Sequence, residues 1–326
     1  GEGILVRIVQ GRAIKIEGNP DHPVNHGKSS GKNQAGLQGL YNPDRILNPM
    51  KRVGVGPSRR WINITWEEAL SEVSSTVKNS SESNSLAMIT NKQSGTIAEM
   101  TTIFADSLNS NLAIAEAIDQ TVLSQSIQNV FGQQSIPNFD LANSDFILSF
   151  GADFLSTWLS PVKYSRDYGQ FRQGNDHRGK FIQIEPRMSL TGANADKWVY
   201  NIPGTEGKIA LSIAYIIMTE HTSEVDSAIV SQLTGGQGAS QLSQFAPENI
   251  SNETGIDPKV IREIADNIIS HKHSIIIGGG SAGAHSNGID NLDAIYSLNV
   301  LINNIGTKGG VIFNPKSIGG EQLSAS

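Results

Sequence analysis

The first 60 residues alternate short apolar runs with polar loops that contain proline. Ile4–Val9 and residues 13–17 are apolar runs on either side of a glycine, a pattern that predicts a two-stranded hairpin. Residues 18–23 contain two prolines, which remove backbone donors and fix φ, so regular structure stops there. We therefore expect a small β-rich region at the amino terminus.

From residue 61 onward the pattern changes to alternating helices and strands. Thr65 and Glu68 have the spacing of a capping box, which predicts that a helix begins there. The apolar runs 86–90 and 112–115 have the length of buried strands, and residues 97–108 between them suit a helix. The order strand, helix, strand is typical of a parallel sheet.

The same alternation continues through the rest of the chain. Thr205 is the expected N-cap of an apolar helix, and Asp257 with Pro258 starts an amphipathic one. Four further buried strands are predicted, at residues 145–151, 181–185, 198–202 and 274–277. The pattern as a whole predicts an α/β fold.

Composition narrows the classes of function. The 326 residues are 38% hydrophobic and 17% charged, which is enough apolar material to bury cores. A net charge of -6 opposes nonspecific nucleic-acid binding, which needs a concentrated basic surface. The longest apolar run, residues 209–218, is about half the roughly 20 residues of a membrane span. We therefore expect membrane contact only through partners.

The chain contains no cysteine. Iron–sulfur clusters need thiolate ligands and c-type haem attachment needs Cys-x-x-Cys-His, so these residues can build neither. The absence does not indicate a compartment, because it is compatible with both redox environments. The sequence begins with Gly1 directly before a strand pattern, and we interpret it as an internal portion of a longer polypeptide.

Two glycine turns follow predicted strands at positions that suit a ligand. Residues 278–283 could cradle a phosphate, but they lack a P-loop's Lys-Ser/Thr ending and the Gly-x-Gly-x-x-Gly spacing. A tight turn is the simpler interpretation of that loop. Gly151 and Asp153 follow a strand at the edge where doubly wound sheets bind ligands. Asp153 is thus either a ribose contact or a residue that shapes the turn.

The remaining candidate chemistry is sparse. His271 and His273 alternate as on a strand, while His22 and His26 lie in a proline-rich loop, so loop-anchoring roles fit better than metal ligation. No serine occupies a Gly-x-Ser-x-Gly elbow, which argues against a hydrolase. The residues by themselves predict no catalytic, cofactor-binding or metal-binding side chain.

Many short motifs nevertheless occur in the order found in one known family. They are residues 11–12, 17–25, 34–37, 41–46, 64–69, 145–151, 184–187, 195–198, 203–206, 287–288 and 298–310. In this order they resemble the molybdopterin-dinucleotide oxidoreductase (dimethyl sulfoxide reductase) superfamily. The resemblance implies two Rossmann-like, doubly wound parallel-sheet domains, one inserted in the other. It also implies three regions. Residues 1–60 would be the remnant of a small N-terminal cluster domain, residues 61–135 and 272–326 together would form one α/β domain, and residues 136–271 would form the inserted α/β domain.

The departures from the family concern its cofactors. Where cluster-binding members have Gly-Cys-Gly the chain has Gly1-Glu2-Gly3, and the position of the fourth cysteine falls on Ser30. The resemblance therefore implies that the cluster site is lost, as is the cysteine or selenocysteine ligand of the metal. The Pro-Gly-Thr-Asp motif has become Pro-Gly-Thr-Glu at residues 203–206, and the family's carboxy-terminal β-barrel has no counterpart in these residues.

With these cofactor positions changed, the chain is most similar to the molybdopterin-like half of the large iron–sulfur subunit of alternative complex III. That complex is a quinol:electron-acceptor oxidoreductase. This resemblance implies a non-catalytic scaffold in a respiratory or photosynthetic electron-transfer chain, with no cofactor in this portion. The implied partners are a ferredoxin-like iron–sulfur half or subunit, multihaem cytochrome c subunits and polytopic quinone-binding membrane subunits. The implied location is the periplasmic face of the bacterial inner membrane, reached through the complex.

Three other functions stay open. A truncated but working molybdenum enzyme would need a Ser or Asp ligand near residues 90–145 and the β-barrel. A cofactor-free subunit of another assembly, such as a proton-pumping NADH dehydrogenase or a periplasmic quinone reductase, fits the same departures, although the former usually keeps cluster cysteines. The central domain of a thiamine-diphosphate enzyme shares the strand turn at 145–153 but not the motifs at 20–23 and 41–45.

Overall fold

A computed structural model describes residues 2–116, 118, 120–173 and 178–315. They divide into two compact units. The first comprises the described residues of Gly1–Gln34 and Gln120–Asn314, and the second those of Ala35–Asp119 together with Pro315. None of the helices in these ranges is both long enough and apolar enough to cross a membrane.

The first unit opens with an antiparallel hairpin. Strand β1 (Ile4–Val9) pairs with β2 (Arg12–Gly18), which confirms the predicted hairpin. The turn takes Gln10 and Gly11 through positive φ angles of 49° and 76°, the backbone of a tight two-residue hairpin turn. A short helix, α1 (Gly31–Gln34), ends this segment.

The second unit consists of short strands and helices. Its elements are α2 (Gly36–Leu40), β3 (Met50–Val53), β4 (Arg60–Asn63), α3 (Trp66–Glu82), β5 (Ala87–Thr90), α4 (Thr96–Ser107) and β6 (Asn111–Ile114). β3 and β4 are antiparallel, whereas β5 and β6 are parallel, as the strand, helix, strand order predicted. The predicted capping box starts α3, because the Thr65 hydroxyl accepts from the Glu68 N–H at 3.1 Å and the Glu68 carboxylate accepts from the Thr65 N–H at 2.8 Å.

The rest of the first unit is a parallel α/β sheet with its helices. Its elements are α5 (Thr121–Phe131), β7 (Asn138–Phe139), β8 (Phe146–Phe150), α6 (Pro161–Arg172), β9 (Lys180–Ile184), α7 (Leu190–Ala193), β10 (Lys197–Val199), α8 (Glu206–Glu220), α9 (Ser227–Leu233), α10 (Pro247–Thr254), α11 (Pro258–Ser270), β11 (Ser274–Gly278), α12 (Gly288–Leu301) and β12 (Val311–Ile312). Four strands form the parallel sheet, in the order β10-β9-β8-β11. The α/β fold class is confirmed.

The core of the first unit surrounds this sheet. Every residue of β8 and β11 is buried, as expected for parallel strands covered on both faces. Helix α8 packs against α11 and α12, and α12 packs on β11. The predicted start of α11 is confirmed, since the Asp257 carboxylate accepts from the Lys259 N–H at 2.8 Å and Pro258 occupies the first turn.

The division of the chain differs from the predicted boundaries. The prediction joined residues 272–326 to 61–135, but β11 pairs in parallel with β8, from Ser274 opposite Phe146 to Gly278 opposite Phe150. The predicted boundaries followed the resemblance, whereas the backbone hydrogen bonds that join β11 to β8 put β11 in the first unit.

Candidate functional site

Glu2 and Ser30, which the resemblance places at two cluster-ligand positions, lie together in the first unit. The Glu2 carboxylate accepts a hydrogen bond from the Ser30 backbone N–H at 3.0 Å and another from the Asn33 side-chain amide at 2.7 Å. The Ser30 hydroxyl accepts from the Asn33 backbone N–H at 3.2 Å. Hydrogen bonds to an ionised carboxylate are among the stronger ones in proteins. The local chemistry is that of a carboxylate with amide donors, and a cluster would need thiolates in its place.

Asn25 fixes the loop around this network. The residue is fully buried, and its side-chain oxygen accepts from the Gly3 N–H at 2.9 Å. Its amide donates to the carbonyls of Gly3 at 2.9 Å and of Lys28 at 2.5 Å. Arg166 of α6 donates to the Val24 carbonyl at 3.2 Å, which ties the same loop to the sheet-bearing part of the unit. These hydrogen bonds hold the backbone at Gly3 and Lys28, close in sequence to Glu2 and Ser30.

A cleft of about 700 Å³ lies between this loop and α6. Ser29 and Ser30 line one wall, and Arg166 with Gln170 lines the other. The Ser29 hydroxyl is buried and has no hydrogen-bond partner among the described residues. Sequence reasoning missed the cleft because its walls come from distant parts of the chain. The available signal was Ser30, which lines one wall and stands where the resemblance expects a cluster cysteine.

β8 and β11 end side by side at the carboxyl edge of the parallel sheet. The strand order changes direction at β8, so this edge is the switch point at which doubly wound sheets bind ligands. Gly151 follows β8 with φ of 65°, and Gly280 follows β11 with φ of 51°. A Cβ on Gly280 would overlap the Gly151 carbonyl, and one on Gly151 would overlap the Ser281 hydroxyl. The two predicted glycine turns are therefore packed against each other.

The Trp158 side chain covers the turn after β11. A Cβ on Gly279 would overlap the indole nitrogen, and the indole packs on Phe139 and Tyr164 with ring centroids 5.5 and 5.4 Å away. Trp158 is only 4% exposed. In a dinucleotide-binding turn, glycine allows a pyrophosphate to approach the backbone closely. Here the indole makes that close approach, so the turn does not fit a pyrophosphate.

Two carboxylates near this edge bond within the protein. Asp153 accepts from the Thr191 hydroxyl at 2.6 Å, an arrangement that shapes the turn. The buried Glu185 accepts from the Ser189 N–H at 2.6 Å and from the Gln183 side-chain amide at 3.0 Å. Both carboxylates hold loops of the first unit in place, and neither Glu185 nor the role of Trp158 was singled out by sequence reasoning.

The Glu206 carboxylate, unlike those of Asp153 and Glu185, accepts no hydrogen bond from the described residues. It is fully buried at the first position of α8, and neither carboxylate oxygen has a hydrogen-bond partner among the described residues. Thr205 occupies the predicted N-cap position, yet its hydroxyl donates to the Ile202 carbonyl at 2.6 Å and makes no side-chain cap. The helix terminus favours a negative charge there. Buried acceptors require donors, so Glu206 is one of several places in this unit with capacity for a further hydrogen bond; the buried Trp158 Nε1 is another.

Three of the candidate histidines contact nearby backbone groups, whereas His273 bonds to Asp145, directly before β8. The His22 Nδ1 accepts from the backbone N–H two residues later at 3.3 Å, and the His271 Nδ1 lies 2.8 Å from the Asn267 carbonyl. His26 and His273 make backbone hydrogen bonds. Across the ranges that the structure describes, no group of three or more His, Asp or Glu side chains is arranged to hold a metal ion.

Comparison with known proteins defines the class. The family model for molybdopterin oxidoreductases matches residues 45–321, and the chain belongs to this family. The solved structure of acetylene hydratase from Pelobacter acetylenicus shares the fold, with a TM-score of 0.70 and 19% identity over 95% of this chain and 43% of that one.

Several curated relatives match most of this chain. It is 29% identical to the molybdopterin-binding-like subunit of menaquinone reductase from Nitratidesulfovibrio vulgaris, over 95% of this chain and 44% of the relative. It is 28% identical to the molybdopterin-containing subunit of arsenate respiratory reductase from Shewanella sp., over 94% and 39%. It is also 28% identical to dimethyl sulfoxide reductase of Escherichia coli, over 83% and 37%. The chain thus spans less than half the length of these relatives.

Proposed function

We propose that this chain is a cofactor-free, non-catalytic scaffold portion of a membrane-bound quinol:electron-acceptor oxidoreductase of the alternative complex III type. The observation that carries the proposal is the hydrogen bond between the Glu2 carboxylate and the Ser30 N–H at 3.0 Å. The resemblance assigns these two positions to cluster cysteines. A carboxylate–amide network now occupies them, so electrons have no cluster to enter here.

The switch point supports the same proposal. A pterin dinucleotide carries a pyrophosphate, and the turn where a doubly wound sheet would take it is covered by Trp158 over Gly279. The carboxylates of Asp153 and Glu185 accept hydrogen bonds from neighbouring loops of the protein. We therefore assign no chemical step to any side chain of this portion.

The proposed role is to hold the redox centres of partners at fixed separations. The partners that the resemblance implies are a ferredoxin-like iron–sulfur half or subunit, multihaem cytochrome c subunits and polytopic quinone-binding membrane subunits. The complex would place this portion at the periplasmic face of the inner membrane. A quinone reductase complex is the second candidate, favoured by the relative whose name is menaquinone reductase, molybdopterin-binding-like subunit.

Affinity purification of the full-length protein from native membranes tests the scaffold role. We expect haem-containing and iron–sulfur partners to copurify, with quinol-dependent reduction of an acceptor by the intact complex. Menaquinone reduction in place of quinol oxidation would select the second candidate. Reduction of an oxyanion or a sulfoxide by the purified protein without partners would overturn both, because it requires a working molybdenum site.

A further inference from the structure

Strand β11 lies at one edge of the parallel sheet, and all five of its residues are buried. Alternate residues of a strand direct their backbone N–H and C=O groups to opposite sides. The groups of Ser274, Ile276 and Gly278 point away from β8, because they bond to side chains of α12 and of the turn after it. A buried backbone group without a partner is costly, so this outer edge needs donors and acceptors from somewhere.

Two side chains of α12 bond the outer edge as a neighbouring strand would. The Asn299 side-chain oxygen accepts from the Ile276 N–H at 3.0 Å, and the Asn299 amide donates to the Ile276 carbonyl at 2.8 Å. The Tyr296 hydroxyl accepts from the Gly278 N–H at 3.3 Å and donates to the Gly278 carbonyl at 2.6 Å. Each side chain therefore meets both backbone groups of one residue, which is the pattern of donors and acceptors that a strand presents.

The turn after α12 closes the start of the same edge. The Asn304 amide donates to the Ser274 carbonyl at 2.6 Å and to the Asn299 side-chain oxygen at 3.1 Å. Tyr296, Asn299 and Asn304 are all buried, although asparagine is mostly exposed in folded proteins. These three residues, the edge-closing side chains, supply partners for five outward backbone groups of β11.

We infer that the edge-closing side chains take the place of a fifth strand and keep β11 from pairing with β11 of a second copy of the chain. The centre of β11 is three consecutive isoleucines, and an apolar strand with an open edge is a template for association. The strand itself carries no charged residue, so like-charge repulsion within it does not oppose a symmetric pairing. The inference concerns the interior of the first unit and stands independently of the proposed scaffold role.

Hydrogen exchange at residue resolution tests the inference on variants of the full-length protein. Asn299→Leu keeps a similar side-chain volume and removes both partners of Ile276, whereas Tyr296→Phe removes a single hydroxyl. Exchange of the Ile276 amide should accelerate at least about tenfold in the first variant, and exchange of the Gly278 amide about fivefold in the second. Ser297→Ala is the matched control on α12, because its hydroxyl bonds to a carbonyl of the same helix.

Light scattering supplies the second readout. Asn299→Leu and Tyr296→Phe should form species larger than the unsubstituted protein, in proportions that rise with protein concentration, whereas Ser297→Ala should not. Pairing through β11 gives the Ile276 amide a new acceptor in the second copy. Exchange of this amide in Asn299→Leu should therefore slow again as concentration rises.

Three results would overturn the inference. Unchanged exchange at Ile276 in Asn299→Leu would show that the side chain is not the partner of this amide. Faster exchange in a variant that keeps its size at every concentration would show that the edge-closing side chains do not prevent association. Larger species in which the Ile276 amide stays fast would place the association at another surface. Tyr296→Phe keeps the ring against Phe139, so it provides the test if circular dichroism shows that Asn299→Leu does not fold.

Discussion

The Glu2 carboxylate accepts a hydrogen bond from the backbone N–H of Ser30 at 3.0 Å, across 28 positions of sequence. These are the two places where the resemblance to cluster-binding molybdopterin oxidoreductases expects cysteine. Buried polar backbone groups are normally hydrogen-bonded, and leaving one without a partner costs stability. Here the Glu2 side chain supplies the acceptor for the Ser30 backbone N–H.

The first prediction concerns this hydrogen bond. Glu2→Ala removes the acceptor of both the Ser30 N–H and the Asn33 amide, so we expect a loss of about 1–2 kcal/mol in the free energy of unfolding. Amide exchange at Ser30 should accelerate at the same time. Chemical denaturation and hydrogen exchange measure the two effects. Glu2→Gln keeps an acceptor oxygen and should lose less than half as much; equal losses for both variants would contradict the geometry.

The second prediction concerns Trp158 and Gly279. Trp158→Ala removes a buried side chain that packs on Phe139 and Tyr164, so we expect a loss of about 3–5 kcal/mol in chemical denaturation. Trp61 is 61% exposed, and Trp61→Ala as a control should change stability by no more than about 0.5 kcal/mol.

Gly279→Ala provides the matching half of a double-mutant cycle. Its Cβ would overlap the Trp158 indole, and overpacking of this kind costs about 1–3 kcal/mol. Removing Trp158 makes room for that methyl group, so the double variant should be more stable than the sum of the single changes by about 1 kcal/mol or more. Strict additivity would show that the indole does not occupy the turn.

A third prediction compares the two units. In the first unit β8 and β11 are entirely buried, whereas in the second unit α3 has no buried residue and β5–β6 is a two-stranded sheet. Local opening is easier where few apolar groups are buried. Hydrogen exchange of this chain should therefore be slower in β8 than in β5 by about 10³-fold or more. Equal protection would show that the second unit has a core of its own.

A fourth prediction concerns the pH dependence of α3. Hydrogen bonds from Thr65 hold the pKa of the Glu68 carboxyl below the ordinary value for glutamate. The larger effect comes from the Thr65 backbone N–H and the smaller one from its hydroxyl. Because the folded-state pKa is the lower one, the interaction stabilises the helix above the unfolded-state pKa and is lost as pH falls through the folded one. Thr65→Ala should raise the Glu68 pKa in an NMR titration. Ser71→Ala, on the same helix, should leave it unchanged.

Local patterns in the sequence predicted local structure well. The β1–β2 hairpin, the capping box at Thr65 and the Asp257 cap are set by residues within a few positions of each other, and each is confirmed. Strand pairing across the sheet is not local. β11 pairs with β8 because both are apolar enough to be buried on two faces, and no pattern within either strand names its neighbour.

The candidate site shows the same limit. The sequence indicated the glycine turns at Gly151 and at residues 278–283, but their packing against each other depends on the parallel pairing of β8 with β11. Trp158 lies in the loop after β8, where no periodicity marks it as buried. Glu206 was expected at the start of a helix, yet its burial without partners follows from the packing of α8 against α12.

A portion that serves as a scaffold carries no redox cofactor of its own. Molybdenum, iron and released pterin should be measured on the purified full-length protein and on its cluster-bearing partner half or subunit. We expect neither molybdenum nor pterin in any fraction, with iron confined to the partner half or subunit. Stoichiometric molybdenum and pterin would contradict it and would direct attention to Glu206 and to a Ser or Asp metal ligand.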